Sequence, residues 1–536
     1  MSRVSTENVS LRYGVETSLN TPPTGANDWR ILEPNDISKF GPDIKTVARR
    51  PISPRRGRRK GTVVDLDSPP ELKGDLTVDS FLDFIEAYVY AEFANVDYNL
   101  RNTANAAPPA VTNGFTISAA SAALGDKVQF VAVQRASLLV SKGYATAANN
   151  GLFAITVDLA STNTTITAGG QGIVTEASPP TNASLLVAGV RVLATNDLTL
   201  TITGSTATLV SAASITTAGG TTTPGWASLG VQAGMWIHIG SGVPATGALQ
   251  NGLGTLGTQS YGYARVTSVT TTTLNLDKLD PKLVTATTNS AGVCDVLFGR
   301  FARNVATSDA VADRRYIERT VHIEASYPNL GGVGVTQFEY SKGNYADSLT
   351  FELPVADKAL ITWGFVGTDT EVLTSSRKTG ASTAIDVLRS VAFNTSSNII
   401  SLTTNLVSLV SDVCFKDLTV KINDNTKADK CLGTLGAAFV NVGLFEVSLS
   451  GKMLFTNKTI TDAVRNNTTV TWANVMTNED GTIVMDLPAF TCGDGSREFP
   501  RDESVHANLK GETFTDPTFG FDVGFNVLVG TPTQRP

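Results

Sequence analysis

Charge is scarce in this chain. Of its 536 residues, 17% are Asp, Glu, Lys or Arg, against roughly 25% in an average soluble protein. Cysteine is scarcer still: Cys294, Cys414, Cys431 and Cys492 lie far apart and form no CxxC pair. That spacing excludes a disulfide framework and a zinc knuckle, and it reads as buried free thiols. There are three histidines, His238, His322 and His506, none with a second histidine at metal-ligand spacing. HExxH and GxSxG are absent, so nothing assembles a nucleophile, base and orienting group, and no enzyme is expected. No run of about 18 apolar residues occurs, and the opening MSRVSTENVS has no apolar leader core. The expectation is a soluble protein made in the cytoplasm without membrane anchoring, which counts against a secreted adhesin.

Thr, Ser, Ala, Gly and Val fill the space that charge leaves, a mixture suited to strands joined by tight turns. With 41% hydrophobic residues, the chain reads as globular and β-rich, and its length suggests three or four domains. The net charge of −7 is uneven. Residues 49–60, RRPISPRRGRRK, carry seven basic groups and no acid, and removing them takes the remainder from −7 to −14. An acidic body with one basic segment is not the profile of a general nucleic-acid binder.

Pro22, Pro23, Pro34, Pro42, Pro51 and Pro54 punctuate a polar N-terminal arm and keep most of it out of regular structure. Residues 71–78 alternate as a strand. Ser80 follows as an N-cap, and the apolar set Phe81, Leu82, Ile85, Tyr88, Val89 and Phe93 predicts one amphipathic helix over 81–93. Between 103 and 310 the texture turns to Ala, Thr, Ser and Gly. Segments 115–121 (FTISAAS) and 208–214 (TLVSAAS), and later 151–157 and 262–269, suggest two tandem β-modules. Past Arg314, Ile317, Val321, Ile323 and Ala325 alternate with Glu318, Thr320, His322 and Glu324. The same period recurs at 349–353, 418–422 and 445–450, predicting sheets with one buried and one polar face. Segments 72–78 (LKGDLTV) and 449–455 (LSGKMLF) each precede a helix start, so the main body holds two copies of one module if the likeness is real. The expected divisions are 1–102 for the arm, basic loop and first part of the body, 103–205 and 206–312 for two inserted β-domains, and 313–536 for the second part, a possible second module.

Other candidate sites are weak. Gly252, Gly254 and Gly257 form a GxGxxG string, but no βαβ context surrounds it, so it reads as a loop. His322 falls on the polar side of its strand with Glu324 and is expected as a surface or interface side chain. Asp65 and Asp67 beside a Pro-rich turn read as solvated charge rather than acid–base machinery. No cofactor or metal is expected.

As an ordered set, these segments resemble the tail tube proteins of long-tailed bacteriophages. The set comprises the arginine-rich arm and strand–helix unit at 49–93, then ERTVHIEASYPN (318–329) and DSLTFELPVADKALITWGFVG (347–367). GLFEVSLSGKMLFTNKTITDAVRN (443–466) and GTIVMDLPAF (481–490) complete it. The resemblance covers roughly 1–100 and 314–530. It implies a mainly β fold, with β-sandwich tail-tube modules flanked by a helix and small inserted Ig-like or β-sandwich domains outside the tube. It also implies rings stacked into a hollow conduit for DNA ejection, with an acidic lumen that genomic DNA crosses without specific binding. The partners implied are further copies of the chain, in trimeric pseudo-sixfold or hexameric rings, a tape measure protein, and tail tip and terminator proteins. The protein would then reside in the virion tail. On this reading Arg49, Arg50, Arg55, Arg56, Arg58, Arg59 and Lys60 contact the next ring, in preference to a solvated loop or a nucleic-acid contact. The alternative is a fibre or baseplate protein that holds the host surface with its inserted domains. A glycan depolymerase is weaker, because 103–310 has few acids or aromatics.

Overall fold

A computed structural model describes residues 4–25, 28–49, 52, 54, 58–93, 109–116, 137–154, 165–167, 171–193, 198–211, 214–216, 222–224, 226, 230–242, 249–250, 260–287, 293–309, 315–387, 390–404, 415–455 and 458–529. Antiparallel strands dominate it, as the alternating apolar pattern predicts. The main body is one 16-stranded sheet system, and two copies of a single topology build most of it.

The N-terminal arm supplies β1 (Ser10–Val15) and β2 (Trp29–Leu32). The first copy runs β3 (Asp36–Lys39), a projecting hairpin of β4 (Asp43–Ala48) and β5 (Gly61–Asp67), then β6 (Glu71–Asp75). Helices α1 (Val78–Leu82) and α2 (Ile85–Tyr88) follow, and after a long insertion come β7 (Thr320–Tyr327), β8 (Gln337–Pro354) and β9 (Leu360–Val366). The spatial order is β3-β6-β9-β8-β7. The second copy runs β10 (Phe415–Asn423), a hairpin of β11 (Lys427–Asp429) and β12 (Phe439–Asn441), β13 (Glu446–Leu454) and α3 (Thr459–Arg465). It ends with β14 (Thr469–Asn478), β15 (Gly481–Glu498) and β16 (His506–Thr513), in the order β10-β13-β16-β15-β14. The end of β8 pairs with β10, from Ser348 opposite Asn423 to Pro354 opposite Asp417, and so welds the copies into one sheet.

The glycine shared by LKGD and LSGK has a steric cause in each copy. A Cβ on Gly74 would come within 3.2 Å of the Trp363 ring, and one on Gly451 within 2.7 Å of the Asp417 carbonyl oxygen. Both copies feed one apolar core. Phe81 of α1 packs against Phe351 of β8 and against Phe525 of a late strand, β17 (Gly524–Leu528), at 5.8 and 5.4 Å between ring centroids.

Three expectations need correction. The helix over 81–93 is two short ones, broken where Phe84 takes φ 63°. Thr77, not Ser80, is the N-cap, and Ser80 closes its capping box. The break lets the Phe84 ring pack 4.3 Å from Tyr13 and 5.1 Å from Phe365, and this aromatic burial outweighs the cost of a left-handed residue, about 1–2 kcal/mol. Next, the polar side of β7 is buried. His322 and Glu324 are 0% exposed, because the N-terminal arm and residues 371–385 cover them. Glu16 accepts from the Thr320 hydroxyl (2.6 Å) and lies 3.0 Å from His322 Nδ1, while Glu324 accepts from Tyr340 (2.8 Å) and pairs with Arg377 (2.9 Å).

The third correction concerns the insertion, whose halves are not separate modules. One ten-stranded sheet takes Ser137–Lys142, Gly151–Ala154, Ser184–Leu193 and Leu198–Thr203 from 103–205. From 206–312 it takes Thr206–Ser211, Trp236–Ile239, Gly262–Val269, Thr273–Asp277, Ala286–Thr287 and Val293–Leu297. The boundary expected at 205/206 falls in the turn of a hairpin, Leu198–Thr203 with Thr206–Ser211. The insertion has a core of its own, joined by Phe521 of the body, and docks on β14, β15 and β17, where Leu138, Val140, Trp236 and Tyr263 meet Ala473, Val475, Val484 and Leu528.

Candidate assembly surfaces

The sheet that joins the copies leaves one face open. Side chains on alternate positions form rows straight across it. One row runs Asp36, Lys73, Thr362, Thr350, Lys421, Ser448 and Glu512. A second runs Asp75, Leu360, Glu352, Thr419, Ser450 and Lys510. All are exposed or half-exposed, whereas their neighbours Leu72, Ile361, Phe351, Val420 and Leu449 are buried on the other side. These rows contain no aromatic ring and no cluster of one charge. Lys73 pairs with Glu352 at 2.8 Å, and at the margins Lys39 pairs with Glu71 (3.8 Å) and Lys452 with Glu498 (2.7 Å).

The β4–β5 hairpin stands off this sheet as a separate two-stranded ribbon. Ile44, Val47, Val63 and Val64 are 45–61% exposed on it. At its outer end the Arg59 amide donates to the Arg49 carbonyl (3.1 Å). Arg49, Arg58, Arg59 and Lys60 are exposed, while Arg50, Arg55 and Arg56 lie outside the described residues. The ribbon's base is anchored by charge, because Lys45 and Lys430 both bind Asp65 and Asp67, with Lys45 2.7 Å from Asp67. Hydrogen bonds from Lys430 first, and from Lys45, hold both carboxyls below the usual range. Asp65 and Asp67 are therefore bridged rather than free in solvent. Lys430 follows β11, so the second copy's hairpin braces the first's. That second hairpin region exposes Leu432, Leu435, Phe439 and Leu444.

The other two histidines are interior. His238 is fully buried with Nδ1 2.7 Å from the Gly240 carbonyl, and burial pushes its pKa down to about 4. His506 is buried on β16. Cys294 and Cys492 are buried free thiols and Cys431 is an exposed one; Cys414 lies outside the described residues, as do Gly252, Gly254 and Gly257. Among the described residues no cluster of three or more His, Cys, Asp or Glu has metal-holding geometry. No helix there is long and apolar enough to cross a membrane.

Two features escaped the sequence reading. One is the continuous open face, which depends on which strands pair. The other is the polar clamp between insertion and body. Trp236 Nε1 donates to Asp486 (3.0 Å), and Arg265 donates to Asp486 and Asp277. The isolated charges in apolar stretches were the available signal.

No curated protein matches the chain. The family model described as phage tail tube protein matches residues 218–518, more than half of the sequence, and covers the joint between the copies and the whole of the second. The chain belongs to the phage tail tube protein family, and it is a structural component of the virion tail.

Proposed function

We propose that the chain forms the wall of the tube as stacked rings of three copies, each copy giving two of six modules around a lumen through which DNA is ejected. The observation that carries this reading is the open face that runs unbroken from the first copy of the topology into the second. Lined inward, its hydroxyl-rich rows offer DNA no ring to stack on and no basic stripe to track. The acidic balance of the chain adds weak repulsion of phosphates.

The β4–β5 ribbon is the arm to the next ring. A two-stranded hairpin is marginal alone in water, and this one carries exposed valines and isoleucine as well as Arg49, Arg58, Arg59 and Lys60. Packing on the acidic body of the copy above would cover the former and complement the latter. Arg50, Arg55 and Arg56 belong to the same contact. The insertion packs on β14 and β15 and leaves the open rows uncovered, which suits the outside of the tube. A tape measure protein within, and tip and terminator proteins at the ends, are the further partners, and the chain has no catalytic role. Negative-stain electron microscopy of the purified chain at rising concentration tests the reading. Rings or tubes with three chains per turn are expected, and persistence as monomers both at high concentration and with tail-tip complexes as nuclei would overturn it.

A further inference from the structure

The joint inside the chain specifies the joint between chains. We infer that residues 492–498, the end of β15, pair antiparallel with β3 of the next copy, an inference that rests on the ring reading above.

The register identifies equivalent positions. Ile37 lies opposite Leu72 as Val420 lies opposite Leu449, so β3 is the first copy's counterpart of β10. Thr350 lies opposite Thr362, which faces Lys73, and Gly493 lies opposite Lys510, which faces Ser450. Gly493 thus occupies in β15 the place that Thr350 occupies in β8. Within the chain, Thr350 lies opposite Lys421 of β10. The counterpart of Lys421 on β3 is Lys39, since Lys421 faces Ser448 and Lys39 faces Glu71.

Both counterpart edges are open. Among the described residues, β3 pairs only with β6, and 492–498 pair only with β16. An unpaired edge is a template for another strand, and a heterologous contact of this kind closes into a ring when the rotation allows. In this register Lys39 and Gly493 fall on the same face of the sheet, the open one, because Lys39 faces Glu71 and Gly493 faces Lys510. Both edges are short and bulged, at Ile37/Lys39 and at Asp494/Arg497, features that limit indiscriminate pairing. The joint between copies is accordingly shorter than the internal one.

The test is a cysteine pair, Lys39→Cys with Gly493→Cys, in a Cys414→Ser, Cys431→Ser background that leaves only the buried native thiols Cys294 and Cys492. A Cβ at Gly493 meets nothing closer than the Lys510 carbonyl oxygen at 4.0 Å, so the substitution fits. Assembled particles are treated with a short bis-maleimide and run on denaturing gels, with each single variant as control. Covalent dimers and trimers from the double variant, at least tenfold over either single variant, are expected. Rings or tubes whose double variant stays monomeric on the gel would overturn the edge joint and leave the tube reading standing. Failure of the unsubstituted chain to assemble even on tail-tip nuclei would instead sink both.

Discussion

Arg265, on the Gly262–Val269 strand of the insertion, donates to both carboxylate oxygens of Asp486 on β15, at 3.1 and 3.2 Å. Asp486 is 0% exposed and Arg265 is 3% exposed. Breaking such a pair by removing one partner strands a buried charge, at a cost of roughly 3–5 kcal/mol. Asp277 still holds the other side of the guanidinium, so Asp486→Ala is expected toward the low end of that range. Denaturant unfolding should show the body and insertion losing stability together. Unfolding of the insertion alone at an unchanged body midpoint would contradict the clamp.

Asp424 follows β10 at the joint between the copies. It is 0% exposed, and neither carboxylate oxygen has a hydrogen-bond partner. Burial, and then the nearby Asp347, push its pKa well above the usual carboxylate value. A folded pKa above the unfolded one means the contribution to stability is full below about pH 4, the unfolded value, and is lost as pH rises through the folded pKa. Asp424→Asn should therefore match the unsubstituted protein near pH 3 and exceed its stability at neutral and alkaline pH. Melting temperatures across pH 3–9 provide the check, and a constant difference at every pH would refute it.

Glu16 has the opposite sign. Burial pushes its carboxyl up, but hydrogen bonds from His322 and Thr320 and from the Gly343 and Asn20 amides outweigh this and leave it lowered. Its contribution is present above about pH 4.3, the unfolded value, and is lost as pH falls through the folded pKa. Glu16→Ala leaves buried donors unpaired at about 1–3 kcal/mol. It should flatten the acid limb of the stability profile, measured by urea unfolding at pH 3 and pH 7.

Gly451→Ala should be costly although alanine is a small addition. Its Cβ would sit 2.7 Å from a backbone oxygen across the β10–β13 pairing, and backbone yields less readily than side chains. Overpacking of this kind costs about 1–3 kcal/mol. An unchanged chemical-denaturation midpoint would show that the strands part without penalty.

Replacing Arg55, Arg56, Arg58 and Arg59 by serine should shorten or abolish stacked tubes while single rings persist, and rising salt should weaken the unsubstituted tubes in the same direction. Tube length by electron microscopy is the readout, and unchanged length and stability would remove these residues from the ring contact.

How legible the fold was depended on where each partner lies in the chain. Strands around Phe351, Val420 and Leu449 were plain, because one side of each faces solvent and the alternation survives. The same alternation at His322 and Glu324 misled, because Glu16, Tyr340 and Arg377 bury that polar side. No local pattern encodes such a lid. Phe84 broke a helix for contacts with Tyr13 and Phe365, neither of which helical spacing reports. In the insertion, Thr and Ala give weak register signals, so similar strings at 115 and 208 suggested tandem modules where strands of both halves interleave. The likeness of LKGD to LSGK marks equivalent places, where a Cβ would crowd the Trp363 ring at Gly74 and clash with the Asp417 carbonyl oxygen at Gly451. For the assembly surfaces, the charges of the basic run were readable, whereas the open face is a property of pairing order.

The β8–β10 pairing forms whenever a single chain folds. Covalent linkage gives its two edges a local concentration that dilution cannot lower. Every such joint in an assembly is therefore independent of encounter, and only the complementary joints between chains respond to supply. In the ring proposed above, growth from a dilute pool then turns on half as many collisions as a wall of separate modules would need, and unlike neighbours alternate.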